Sequence, residues 1–181
     1  MDYPHLVPTL FDSAIGYFRN RFFEAYVQRR YDAEFNQEEF ITGAKRALLV
    51  VSDILSSDDV TPLLTEGLVD SVAFNEIKAN HDRMDVARRR RFRIDEKHLK
   101  HVHLHQIGII EDDNSGHKAV EIMMVFAVMD VEDVQGRTPQ DIMDSVMLCN
   151  YRFHRDFNND RGWVLNVVNQ FRIKDDLEIK R

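Results

Sequence analysis

Apolar residues recur along this chain first at helical steps and then, from about residue 98, at every second position. The cleanest helical run is Asn36–Ser57. Phe40, Ala44, Ala47, Leu48, Val51, Ile54 and Leu55 form one stripe, with Lys45, Arg46 and Asp53 off it. Asn36 suits the cap, and Glu39 stands at capping-box spacing; Glu38 and Glu39 also suit the positive helix end. Gly43 and Ala44 are small, which predicts close approach of another element there. Upstream, Phe11, Ile15, Phe18, Phe22 and Tyr26 form an aromatic stripe across Thr9–Tyr31, with Tyr17 and Phe23 beside it. Downstream, Thr61-Pro62 is a start signal, and Leu63, Leu64, Leu68, Val72 and Phe74 predict one short helix to about residue 78. The polar stretch that follows predicts a helical turn over Met84–Ala87.

Two alternating runs, HLKHVHLHQIGII and HKAVEIMMVFAVMD, flank turn residues Glu111–Gly116 and predict a hairpin. Val120, Ile122, Met124, Phe126 and Val128 share a face of the second arm. Met123, Val125 and Met129 make its other face apolar, so this strand is expected to be central. Further strands are predicted over Ile142–Phe157 and Trp163–Ile173. In the last, Trp163, Leu165, Val167, Phe171 and Ile173 fall on one face, with Asn166, Gln170 and Arg172 toward solvent. The expected fold class is α+β: N-terminal helices packed on a curved antiparallel meander of four strands. Residues 1–35 form a basic aromatic element, and residues 36–181 the α+β domain.

At 181 residues the chain fits one domain with or without an appendage, and 44% hydrophobic with 30% charged residues is a globular balance. A net charge of −7 weighs against a general nucleic-acid binder, and no sequence-specific nucleic acid is expected as a partner. The single Cys149 cannot form an internal disulfide, which fits a reducing or disulfide-indifferent compartment. No run of 18 apolar residues occurs, and the start MDYPHLVP resembles neither a secretory signal nor a transit peptide.

Charge changes the picture most at the first helix. Arg19, Arg21, Arg29 and Arg30 stand there against Asp12 and Glu24, opposite in sign to the whole chain. The helix either packs its aromatics on the core with a solvated basic edge, or lies aromatic side down on an anionic lipid surface. Phe18, Arg19, Arg21, Phe22, Phe23, Arg29 and Arg30 are its candidate membrane or partner residues. Arg88, Arg89, Arg90 and Arg91 make a second basic patch, read as phosphate-binding or as a solvated face with acidic neighbours.

His101, His103 and His105 alternate on one strand, a geometry that can serve a metal or simply face a partner. No Gly-rich phosphate loop, nucleophile elbow or zinc-protease helix occurs. Cys149 reads as a small core residue, and the acidic loop Asp130, Glu132, Asp133 has no second half of a metal loop. Glu121, Asp144 and Asp156 are the strand carboxylates an enzyme with a helix–sheet pocket would need turned inward. No catalytic residue, metal or cofactor is expected.

The basic aromatic entry Phe18, Arg19, Arg21, Phe22 is followed by Glu39, Phe40, Gly43, Ala44, Lys45, Ala47, Val51, Ser52 and Leu55. A late-strand pattern of Tyr151, Phe153, Arg155, Asp156, Phe157 and Trp163 completes the series. Together these resemble the Tim-forty-four-like domain family of mitochondria, most of all its members that interact with the matrix AAA protease. The likeness spans nearly the whole chain and consists of packing patterns. The arginine run and the triple histidine have no counterpart in it. The resemblance implies a cystatin-like or NTF-two-like fold, residues 36–181 as the family domain, and a place in the mitochondrial matrix, peripheral to the inner membrane. It implies a non-catalytic adaptor or chaperone whose partners are the matrix AAA protease and imported precursor proteins. The calcium uniporter's regulatory subunit is one such precursor. A cardiolipin-bearing surface and the mitochondrial ribosome are further implied partners. Alternatives are a mitochondrial-ribosome receptor or import-motor anchor, and a small-molecule enzyme.

Overall fold

The computed structural model describes residues 10–129, 136–159 and 161–172, and for 10–15 and 17 only the backbone. The side chains of Phe11, Ile15 and Tyr17, the acidic loop, Ile173 and the chain start lie outside what it describes. Helices come first: α1 Leu10–Arg30, α2 Gln37–Ser56, α3 Pro62–Thr65, α4 Ser71–His81 and α5 Val86–Arg90. The strands are β1 Leu99–Asp112, β2 His117–Met129, β3 Val146–Asp156 and β4 Val164–Arg172, with α6 Pro139–Ser145 between β2 and β3. They form one antiparallel meander in the order β1-β2-β3-β4, so the fold is α+β and β2 is central, as expected.

Helix α2 follows its sequence closely. The Asn36 carboxamide accepts from the backbone N–H of Glu38 at 2.8 Å and of Glu39 at 3.1 Å, satisfying two donors that a helix start leaves open. Ala44, Leu48, Val51, Ser52 and Leu55 are buried. Gly43 is a correction: it is exposed, and a Cβ there would meet nothing within 4 Å.

The helix expected from Thr61 to residue 78 is two helices. Gly67, at φ 69°, turns the chain out of α3. Residues 68–70 then run beside β4: Leu165 donates to Leu68 O at 2.9 Å and Asp70 donates to Leu165 O at 3.0 Å. Asp70 caps the second helix through the Ala73 N–H at 2.7 Å. The turn at Met84–Ala87 extends into α5, capped by Asp85. The strand expected from Ile142 starts only at Val146. Thr138 and Asp141 close a capping box that, with Pro139 in the first turn, makes the preceding segment α6.

The core lies between the helices and one face of the sheet. Val120, Ile122, Met124, Phe126, Cys149 and Tyr151 from the strands meet Val27, Leu48, Val51 and Leu63 from the helices, all fully buried. Burial pushes the Cys149 thiol and the Tyr151 hydroxyl up, so both stay neutral. At one end Phe40 packs edge-on against Phe153 and Trp163, tying α2 to β3 and to the chain before β4.

Besides a slip at Lys100, where β1 begins, two irregularities decide which side chains face where. In β1 the register slips between Leu104 and Gln106, leaving His105 as the extra residue. In β4, Arg152 opposes Val167 while Phe153 opposes Leu165, so Asn166 is extra. One inserted residue reverses the alternation beyond it. The expected faces of β4 are therefore corrected. Gln170 turns inward and donates to the Tyr151 hydroxyl. Val167 and Phe171 share the opposite face with Arg152 and Leu148, their register partners.

Candidate functional site

Helix α1 turns outward two of the aromatics that one of its two expected orientations would bury. Phe18 is 74% and Phe22 67% exposed, whereas the polar Asn20 and Glu24 are buried along with Val27. The expectation that the aromatic stripe packs on the core fails for these two phenylalanines. The cause lies at the β1 bulge. Asn20 Nδ2 donates to Leu104 O at 3.1 Å and to His105 O at 3.4 Å, and Arg19 Nη2 also reaches His105 O at 3.4 Å. Buried carbonyls demand donors, so the helix turns its amide inward and its rings outward.

By helical periodicity Arg29 lies on the same outward face as Phe18 and Phe22, with Arg21 and Arg19 on its two flanks. Arg21 pairs with Glu24 at 2.7 Å, which compensates the buried carboxylate. Arg29 and Arg30 pair with no described residue and, with Tyr26, line a shallow depression of about 290 Å³. Phe23 alone of the candidate aromatics is half-buried; it packs on the core and meets the Phe22 ring edge-on. The end of α1 and the turn after it are well anchored. Tyr26 and Tyr31 both donate to Glu111, Tyr31 stacks on Phe157, and Arg155 reaches Asp32 at 2.6 Å.

The arginine run divides. Arg89 bonds Asp58 at 3.1 Å and Met84 O at 3.1 Å, and Arg93 lies 3.6 Å from Asp53. Arg88, Arg90 and Arg91 are exposed and pair with no described acid. Asp58 and Asp53 are thus the acidic neighbours for part of the run.

The histidines form a ladder on the sheet face away from the helices. The His101 and His103 rings stand 6.0 Å apart and those of His103 and His105 6.2 Å apart. Among the described residues, no group of three or more His, Cys, Asp or Glu is placed to hold a metal ion. Partial burial first, and then the neighbouring His101 and His105, hold His103 below its ordinary pKa of 6.5. The folded state thus binds this proton less readily than the unfolded chain. Stability is full above about pH 6.5 and falls as pH drops from there through the depressed native value. His103→Gln is therefore expected to flatten the fall in urea midpoint on acidification. An unchanged slope would remove His103 from the account.

The same face holds a polar network that the sequence did not reveal. Asn166 Nδ2 donates to Glu121 at 2.8 Å, Arg152 Nε donates to Asn166 Oδ1 at 2.9 Å, and His154 Nδ1 lies 3.4 Å from Glu121. Only the bulge at Asn166 brings this side chain under Arg152. Of the carboxylates an enzyme would need inside, Glu121 and Asp156 stand on this outer face. Asp144 belongs to α6 and accepts from Gln140 at 2.9 Å, not to a strand as expected. Among the described residues no helix is long and apolar enough to cross a membrane. No protein-family model and no curated protein matches this chain.

Proposed function

We propose that this protein is a non-catalytic adaptor or chaperone that docks on an anionic membrane surface through α1. One observation carries this: two exposed phenylalanines one helical turn apart, flanked by arginines, on a helix that buries its polar residues instead. Such a face inserts rings at the headgroup level while the guanidinium groups meet lipid phosphate. The matrix face of the mitochondrial inner membrane, the matrix AAA protease and newly imported precursors as partners rest on the family resemblance. The calcium uniporter's regulatory subunit belongs to the same part of the proposal.

Vesicle co-sedimentation tests the docking. The wild-type chain should pellet with cardiolipin-containing vesicles and not with neutral ones, and Phe18→Ala with Phe22→Ala should abolish pelleting. Exposed positions cost little, so the double variant should stay within about 1 kcal/mol of wild-type stability. Wild-type protein that ignores anionic vesicles, or a double variant that still pellets, sinks the proposal. Affinity purification from mitochondria tests the partners, and recovery of neither protease nor precursors counts against that part. A ribosome receptor or import-motor anchor is the second reading, favoured by the exposed Arg88, Arg90 and Arg91, which pair with no described acid. Ribosome co-sedimentation that weakens steeply with salt would favour it.

A further inference from the structure

We propose that two copies of this chain pair through their β4 edges into one continuous antiparallel sheet. The two edges of the sheet are treated differently. The β1 edge is bulged at His105, and α1 lies against it with Asn20 and Arg19 bonded to its carbonyls. At the β4 edge only the start is engaged, where Leu165 bonds residues 68–70. Beyond it, from Val167 to Phe171, no described residue takes the backbone N–H and C=O groups directed away from β3.

An open edge of this kind templates another strand unless charge, proline or a bulge guards it. Val167–Phe171 reads VVNQF: no charge and no proline in a chain that is 30% charged. Its bulge residue, Asn166, comes before the open part. The sequence is also self-complementary. A two-fold axis at Asn169 sets Asn169 against its own copy and Val167 across from the partner's Phe171. Val168 then faces the partner's Gln170, and the pairing stops short of the bulge residue Asn166. Amide meets amide, apolar meets apolar on the outer face, and no like charges oppose. The outer-face row Ala127, Leu148, Phe171, set by the strand register, would run on into the partner's Val167.

Sedimentation velocity on the full chain tests this directly. The wild type should sediment with the mass of two chains. Asn169 is exposed, so Asn169→Lys and Asn169→Glu should each fold, as circular dichroism melts would show, and each sediment as a single chain. Mixing the two variants should restore the dimer, because Lys then faces Glu across the axis. Amide hydrogen exchange in β4 should slow as wild-type concentration rises. A wild type that stays monomeric overturns the proposal, as does a dimer untouched by Asn169→Lys. So does a monomer whose β4 amides become protected only when an extended peptide is added, which would give the edge to a different chain.

Discussion

Phe126→Ala is expected to destabilise the fold by about 3–5 kcal/mol, the usual cost of truncating a buried aromatic side chain. Phe126 is fully buried on the helix-facing side of β2, with its ring edge-on to Tyr151 at 5.7 Å between centroids. Removing it takes apolar surface out of the core and leaves a void beside Tyr151 in a close-packed interior. Since small domains hold only about 5–15 kcal/mol in total, this one change would populate the unfolded chain in mild urea. Equilibrium urea denaturation checks it. A loss below about 1.5 kcal/mol would mean that the side chain is not in a close-packed core. Phe18 and Phe22, the same residue type, are expected to cost almost nothing by the same measurement. Chemistry alone does not separate these phenylalanines; their place does.

That contrast marks where the sequence was informative. Period-two alternation identified the hairpin, and the doubly apolar β2 was correctly expected at the centre of the sheet. Helix α2 was legible because cap, stripe and stop all agreed. The orientation of α1 was not, because spacing gives a stripe but not its direction. What turns the helix is a tertiary demand: the bulge carbonyls of Leu104 and His105 need the Asn20 amide, and no local pattern encodes a contact 84 residues away. A buried Asn20 and Glu24 seven and three residues before Val27 were the available signal, masked by the louder aromatic spacing.

Bulges hid the rest. A single extra residue at Asn166 turned Gln170 inward and Phe171 outward, reversing faces that strict alternation assigned. It also assembled the Glu121–Arg152–His154–Asn166 network, whose members lie up to 45 residues apart in sequence. The α3–α4 break and α6 were locally signalled, by Gly67 before Asp70 and by Thr138-Pro139 with Asp141. There the apolar periodicity overrode turn chemistry that pointed the right way.

The resemblance argued from α2 includes Ser52, and the structure gives that residue a physical task. Its side chain is fully buried. The hydroxyl donates to Leu49 O at 2.8 Å and accepts the Ile94 N–H at 3.2 Å, bridging 42 residues. Ile94 follows the arginine run directly, so this bond, with Arg93 to Asp53 and Arg89 to Asp58, pins the run to α2 and the turn after it. Ser52→Ala strips the acceptor and leaves a buried amide without a partner, at a cost of about 1–3 kcal/mol. Thr42→Ala on the same helix is the control. Its hydroxyl also bonds a backbone carbonyl, Glu38 O at 2.9 Å, but at an exposed position where water replaces it. That variant should stay within about 0.5 kcal/mol of wild type. Chemical denaturation of both variants, with hydrogen exchange followed at the Ile94 amide, decides the matter. Faster exchange at Ile94 in Ser52→Ala alone is expected. Equal effects from the two substitutions would show that Ser52 contributes only as a small helix residue and holds nothing in place.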